Sequence, residues 1–340
     1  MNMQRWTRRS LRSGLIGLGL LVLLPVSASA DPPVPTNYRS TVVDSPAGID
    51  ARIVGGDSFL VIEAPRGTLV EVPGYSDEPY LRFREDGTVE RNARSAATLL
   101  NESRYLTGAE TDVPADNDAP PLWEVVATEG TYAWHDHRVH FMGVDLPSRL
   151  DPRGGTQLVF EWEIPITIDG EAATIHGRLD WLPDESPVLP IGIAVAGVAG
   201  IVGLAARRQG LGAVLGAAVA GVAAMVGGAW LALGLPAGAT ANPLDIALPV
   251  AAVVATVVAA AAMRARPVAA ALLTGLAAVP AIVWAVTRIG AFQRPVLPAE
   301  PAGLLRGLVA LALGAGIGAV AAGLWSFLSA GAEELGRAED

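Results

Sequence analysis

The hydrophobic pattern divides the chain into two unlike halves near residue 187. Beyond this point the apolar residues form five nearly uninterrupted segments, each close to the ~20 residues that cross the hydrocarbon core of a bilayer. The segments cover residues 188–206, 211–235, 246–263, 268–287 and 304–328. We therefore predict an α-helical transmembrane bundle of five spans at 188–331, followed by a short cytoplasmic tail at 332–340.

Before residue 187 the apolar runs are short and are separated by Gly, Pro and Asp-Gly turn signals. The runs cover residues 51–54, 59–63, 68–72, 80–84, 88–91, 122–127, 132–137, 157–164 and 173–181. Runs of this length and spacing are typical of a β-sandwich. Residues 94–105 predict a helical turn, residues 107–121 an exposed loop, and Asp169-Gly170 a hairpin turn. We expect one all-β, sandwich-like domain at 31–187, on the extracytoplasmic side.

The first thirty residues predict a secretory signal peptide. Four arginines precede an apolar run at 14–26, and Ala28-Ser29-Ala30 follows as a small-residue cleavage site. Cleavage there would start the mature chain at Asp31. An uncleaved signal anchor is the alternative, although the apolar run is short for a span. The Arg8-Arg9 pair leaves both Sec and twin-arginine export open.

The distribution of charged residues predicts the orientation of the chain across the membrane. A cleaved signal places residue 31 outside the cytoplasm, and five spans then place the C-terminus inside. Arginines are more frequent in the loops predicted to be cytoplasmic, as the positive-inside rule requires. The cytoplasmic set is Arg207, Arg208, Arg264 and Arg266, and the outer set is Arg288, Arg294 and Arg306.

Composition excludes several classes of function. The chain has 340 residues, of which 51% are hydrophobic and 17% charged, with a formal net charge of −10. Residues 31–187 contain 28 acidic residues and 12 arginines, a surface that repels nucleic-acid phosphates. There is no cysteine, so a metal site would have to use His, carboxylate or Met.

The predicted spans place ionisable residues only at their ends, as with Asp245, Arg288 and Arg306. Coupled transport generally needs such groups near the bilayer midplane, so we interpret the bundle as an anchor, an oligomerisation surface or a partner contact. Small residues recur at i, i+4 spacing, which suits close helix packing in lipid but also follows from an Ala- and Gly-rich composition. The rows are Gly192-Ala196-Gly200, Gly212-Gly216-Ala220 and Gly314-Gly318.

The candidate metal-binding residues are concentrated at 131–142, TYAWHDHRVHFM, where three of the four histidines lie. If 132–137 is a strand, His135 and His137 share one face, with Cα atoms about 6–7 Å apart. His140 joins them only if the chain turns near Arg138, and His176 only if its strand lies alongside. Neutral imidazoles ligate Cu and Zn, and the acidic surroundings favour a cation. We predict a metal site at His135, His137, His140 and His176.

Four neighbours of these histidines have supporting roles in this prediction. Asp136 would orient an imidazole, Met142 would favour Cu(I), and Trp134 and Arg138 would pack around the site. The alternative is a purely structural patch, in which Trp134 and Phe141 fill a core and Arg138 pairs with Asp136. The protein would then be a non-catalytic envelope scaffold or interaction protein. We predict no enzymatic activity, because no Ser or Cys nucleophile motif accompanies the histidines.

Several motifs resemble those of uncharacterised exported multi-span membrane proteins of actinobacteria. They are Gly74-Tyr75, Glu78-Pro79-Tyr80-Leu81-Arg82, Asp86-Gly87-Thr88-Val89, Leu99-Leu100-Asn101 and Trp134-His135-Asp136-His137-Arg138 with His140. The resemblance covers residues 40–185 and the multi-span half. It implies an envelope location and no particular activity. The plan is also similar to that of periplasmic β-sandwich copper-resistance proteins, whose N-terminal histidine ligand is absent if the mature chain begins at Asp31.

Overall fold

The structure is a computed structural model that describes residues 32–102, 104, 115–143, 145–208, 210–239, 241–263 and 267–339. The predicted signal peptide, its cleavage site and most of the predicted loop at 107–121 lie outside these residues. Within them, an antiparallel β-domain is followed by five helical segments that are long and apolar enough to cross a membrane. This order confirms the predicted fold class.

Two antiparallel sheets form the described part of the β-domain. Its strands are β1 Tyr38–Asp44, β2 Asp50–Val54, β3 Phe59–Glu63, β4 Val70–Pro73, β5 Pro79–Phe83, β6 Val89–Asn92, β7 Trp123–Ala127, β8 Thr131–Trp134, β9 Gln157–Ile168 and β10 Glu171–Trp181. The larger sheet has the order β1-β10-β9-β4-β5-β6-β7, and the smaller one β2-β3-β8. Ser95 caps the short helix α1, Ala96–Leu100, by accepting a hydrogen bond from Ala97 N. This helix confirms the helical turn predicted there.

The two sheets enclose one hydrophobic core. Leu60 and Ile62 of the smaller sheet pack in the same cluster as Ile164 and Ile175 of the larger one. Strand β3 is apolar without alternation because both of its faces are covered. Its other face, with Phe59, forms a second cluster with β8 and with a loop of the helical half.

The helical half has the bounds α2 Val188–Arg207, α3 Leu211–Leu233, α4 Leu244–Ala262, α5 Pro267–Ala277, α6 Val279–Val286 and α7 Ala302–Glu339, with a 3₁₀ turn at Ile289–Phe292. The fourth predicted span is therefore two helices. Pro280 lies in the first turn of α6, where its missing N–H breaks no helical hydrogen bond. Helix α7 runs past its predicted span to Glu339.

Glycines allow the helices to approach closely. A Cβ on Gly212 would lie 2.6 Å from Ala205 Cβ, and one on Gly318 would lie 2.8 Å from Ile201 Cβ. Two of the three small-residue rows therefore pack inside the bundle. In the remaining row, Gly192-Ala196-Gly200, a Cβ on Gly192 or Gly200 would have no other atom within 4 Å.

The β-domain is docked on one end of the bundle. Thr36 and Val296 exchange two backbone hydrogen bonds of 2.9 and 3.1 Å, and Ala133 N of β8 donates to Ala237 O at 2.8 Å. Two ion pairs, Asp184–Arg294 and Glu185–Arg306, join the same surfaces. The loops after α3 and α6 therefore lie on the same side as the β-domain.

The ionisable residues at the span ends have partners. Arg288 pairs with Asp245, and both are less than one-tenth exposed. Trp284 Nε1 donates to Asp245 Oδ1 at 3.0 Å. These charges serve contacts within the protein at the docked end of the bundle.

Candidate metal site at the histidine turn

The three clustered histidines lie on a turn, which we call the histidine turn, residues 135–140. Strand β8 ends at Trp134, and Val139 N donates to Asp136 O at 3.1 Å. The predicted strand 132–137 is thus too long, and the prediction that His135 and His137 share a strand face is wrong. The Asp136 carboxylate also accepts from Arg138 N at 3.0 Å, a local bond that competes with strand pairing.

The turn brings His140 to the other two imidazoles. Its ring centroid lies 5.1 Å from that of His137 and 6.5 Å from that of His135. The condition under which His140 would join the cluster is therefore met.

Asp136 holds the turn together. Its carboxylate is fully buried and accepts from Trp134 Nε1 at 3.0 Å and from Arg138 Nε and Nη2 at 2.8 and 2.7 Å. Burial acts to raise the pKa of Asp136, but the hydrogen bonds and charge of Arg138 outweigh it and lower that pKa. This is the pairing that the structural interpretation of the motif predicted.

His135 is buried and held in place on both its ring face and its Nδ1. Its ring stacks on Phe59 at 4.4 Å, and its Nδ1 lies at hydrogen-bond distance from the Ser58 carbonyl oxygen. A carbonyl oxygen only accepts, so Nδ1 is protonated and donates to Ser58. Metal-binding histidines are commonly oriented by such a bond on their other nitrogen.

His140 is 1% exposed, and neither of its ring nitrogens makes a hydrogen bond of normal geometry among the described residues, although the Phe141 backbone acts on the ring as a weak partner. Burial lowers its pKa to about 3, with further lowering by the nearby charges of Arg104 and His137. The ring is therefore neutral, the form that binds metals. A buried polar group without a partner requires a physical explanation, such as an ion or a water.

A buried ion pair flanks His140 and was not predicted. Arg104 donates from Nη1 and Nη2 to Asp57 at 2.9 and 2.6 Å, and Asp57 is fully buried. Burial raises the pKa of Asp57, against the lowering effect of Arg104. The Arg104 charge that helps to lower the pKa of His140 is therefore paired with the Asp57 carboxylate.

Tyr75 positions His137 from the neighbouring loop. Its hydroxyl accepts from His137 N at 2.9 Å and donates to Asn101 Oδ1, and burial raises its pKa. The Arg138 guanidinium lies 5.1 Å from the Tyr75 ring centroid. The Gly74-Tyr75 and Leu99-Leu100-Asn101 motifs therefore meet at the turn.

His176 lies elsewhere. Its strand, β10, pairs with β1 and β9 and not with β8, and its Nδ1 lies 3.4 Å from the Glu163 carboxylate. The condition for His176 to join the set is not met. Met142 is partly buried two residues after His140. Across the described ranges, no group of three or more His, Cys, Asp or Glu side chains is placed to hold a metal ion.

A cleft of about 430 Å³ lies beside the turn, between the β-domain and the loop that precedes α7. Arg104 and Phe141 line it on one side and Arg294 on the other. Because Phe141 directly follows His140, the cleft gives the region next to the turn an opening toward solvent.

No protein-family model, curated protein or solved structure matches this chain. Its function must therefore be inferred from its own residues.

Proposed function

We propose that the protein is a membrane-anchored cell-envelope protein whose extracytoplasmic β-domain binds one Cu or Zn ion at the histidine turn. The five apolar helices support the membrane anchor. The arginine distribution in the loops supports an outer β-domain and a cytoplasmic C-terminus. The docked arrangement supports a β-domain held at the membrane surface, where envelope ions have access.

The metal proposal rests on one observation, the buried His140 ring, neither of whose nitrogens makes a hydrogen bond of normal geometry among the described residues. Leaving a buried polar group unpaired costs about 1–3 kcal/mol, and a bound ion would remove that cost. His137 lies 5.1 Å away as a second donor.

Titration calorimetry on the full chain in detergent, with Zn(II) and with Cu(I) under a reductant, tests the proposal. We expect binding to the wild type that is lost in a His137→Gln, His140→Gln variant. His176→Gln is the matched control and should bind as the wild type does. If the wild type binds no more tightly than the double variant, the metal function is refuted.

The second candidate is a non-catalytic scaffold or interaction protein in which the turn is structural. The four hydrogen bonds to the buried Asp136 carboxylate favour it, because they shape the turn without any ion. In that case the double glutamine variant would alter stability or partner capture from membranes equally with and without a chelator.

A further inference from the structure

The cleft beside the histidine turn has the size and the lining of a small-molecule site. Its volume of about 430 Å³ falls within the roughly 300–1,000 Å³ typical of ligand pockets. Tyr38 and Phe141 line it with partly buried aromatic rings, whose centroids lie 5.7 Å apart, and Trp181 lies beside them. Ligand pockets combine such apolar walls with a few fixed polar groups, and these polar groups determine the class of ligand.

Arg294 is held at the cleft through one of its terminal nitrogens. Its Nη1 donates to Asn37 Oδ1 and, at 3.1 Å, to Asp184 Oδ1. Asn37 is 7% exposed and is itself fixed, because its Nδ2 donates to the Leu182 carbonyl oxygen at 2.9 Å. Nε and Nη2 of Arg294 make no hydrogen bond with any described residue. These two nitrogens form one edge of the guanidinium plane, which binds an oxyanion through two parallel N–H···O bonds.

The carboxylates near the cleft leave this edge of Arg294 available. Asp57 is bound to Arg104 by two hydrogen bonds and does not line the described cleft. Asp184 contacts only Nη1 of Arg294, and the two side chains are 52% and 46% exposed. An ion pair this exposed contributes little stability, so an oxyanion can bind to the other edge of Arg294 against weak, screened competition.

The wall formed by Asp184 and Arg294 lies at the ends of membrane-spanning helices. Asp184 shortly precedes Val188, where α2 begins. Arg306, near the start of α7, donates from Nη2 to the Arg294 carbonyl oxygen at 3.0 Å. The polar headgroup layer on each face of a bilayer is about 5–8 Å thick. This wall therefore lies at the depth of the lipid phosphates.

We propose that the cleft binds the phosphate group of an organic phosphate ester, with Arg294 as its ligand. Nε and Nη2 donate to two phosphate oxygens, and the organic part of the ester lies against Tyr38 and Phe141. A phosphodiester carries one negative charge, which matches a single guanidinium edge. Lipid headgroups and soluble esters share this chemistry, and the depth of the wall favours a headgroup. The proposal involves none of the histidines and is independent of the metal function.

Titration calorimetry on the full chain in a non-ionic detergent tests the proposal with three probes. They are dihexanoyl phosphatidylglycerol, glycerol 3-phosphate and dihexanoylglycerol, which has the same acyl chains without the phosphate. We expect one phospholipid to bind per chain and dihexanoylglycerol not to bind. Arg294→Gln should weaken phospholipid binding about tenfold or more, because it removes two hydrogen bonds from a charged donor. Asp184→Asn should tighten it about two- to fivefold, because it removes the competing charge but keeps an oxygen acceptor for Asn37.

Arg306→Gln is the matched control, because Arg306 joins the same docked surfaces through Glu185 but is not among the described residues that line the cleft. It should bind the phospholipid as the wild type does, whereas equal weakening in Arg306→Gln and Arg294→Gln would attribute the loss to undocking and overturn the proposal. Circular dichroism checks that each variant is folded.

The three probes separate the remaining outcomes. Weaker binding of glycerol 3-phosphate than of the phospholipid assigns the site to a lipid headgroup, and equal binding assigns it to a soluble ester. Dihexanoylglycerol binding as tightly as the phospholipid, no binding of either phosphate probe by the folded wild type, or unchanged binding in Arg294→Gln would overturn the proposal. None of these results bears on the metal titration.

Discussion

Replacing Asp136 by Asn tests whether its carboxylate holds the histidine turn. The change keeps the size of the side chain but removes the charge that balances Arg138 and one acceptor for Trp134. Removing one partner of a buried ion pair costs about 3–5 kcal/mol. The Arg138 side chain is 20% exposed, so we expect the lower end of this range, about 3 kcal/mol.

A loss of about 3 kcal/mol should lower the unfolding midpoint of a domain of about 150 residues by roughly 6–12 °C. The assay is the temperature at which trypsin begins to cleave the β-domain in detergent-solubilised protein, because this domain contains twelve arginines. Full-chain unfolding need not be two-state, so a signal confined to the β-domain is required.

Asp180→Asn is the matched control. Arg178 and Asp180 are also two residues apart and joined by two hydrogen bonds, of 2.8 and 2.6 Å, but the Arg178 side chain is 47% exposed. Exposed pairs contribute little, so this variant should shift the midpoint far less. Equal shifts in the two variants, or no shift in Asp136→Asn, would refute the role assigned to Asp136.

Three further predictions address orientation, docking and pH. A periplasmic-type reporter fused after residue 180 should be active and one after residue 340 inactive; the reverse would exclude the proposed topology. The chain has no cysteine, so a Thr36→Cys, Val296→Cys variant should form an intramolecular disulfide under mild oxidant, and its absence would argue against docking. The pKa of Glu78 is lowered, because hydrogen bonds from Ser95 and backbone N–H groups outweigh burial. Its contribution to stability is therefore fully present above its unfolded pKa of about 4.3 and is lost as pH falls from there through its lower folded pKa. Acid unfolding of Glu78→Gln should lack this component, and an unchanged pH profile would contradict the assignment.

The order of strands and helices could be predicted from the sequence, because each of these elements is a run of consecutive residues. Five apolar segments predict five helical stretches, and short runs bounded by turn residues predict most strands. Strand β1 was missed because Tyr38–Asp44 is largely polar and lies at a sheet edge, where burial does not impose an apolar face. The position of the break in the fourth span, at Ala278, could be found only from the local geometry around Pro280.

The candidate site could be predicted only in part from the sequence. The run at 132–137 predicted a strand continuing to His137, whereas β8 ends at Trp134 and the Asp136 carboxylate then accepts from Arg138 N. The pair of Asp57 and Arg104 joins residues 47 positions apart, so no local pattern indicates it. Arg104 of this pair nevertheless contributes to the lowered pKa of His140, after the effect of burial.

The most direct test of the proposed metal function is the number of ions that each chain carries. Native mass spectrometry of the full chain, released from detergent after exposure to Cu(I) or Zn(II) and removal of excess ion, counts them. We expect one ion per chain in the wild type and in His176→Gln, and none in the His137→Gln, His140→Gln variant. A wild type that carries no ion while the β-domain is folded would contradict the metal function and leave the structural interpretation of the histidine turn.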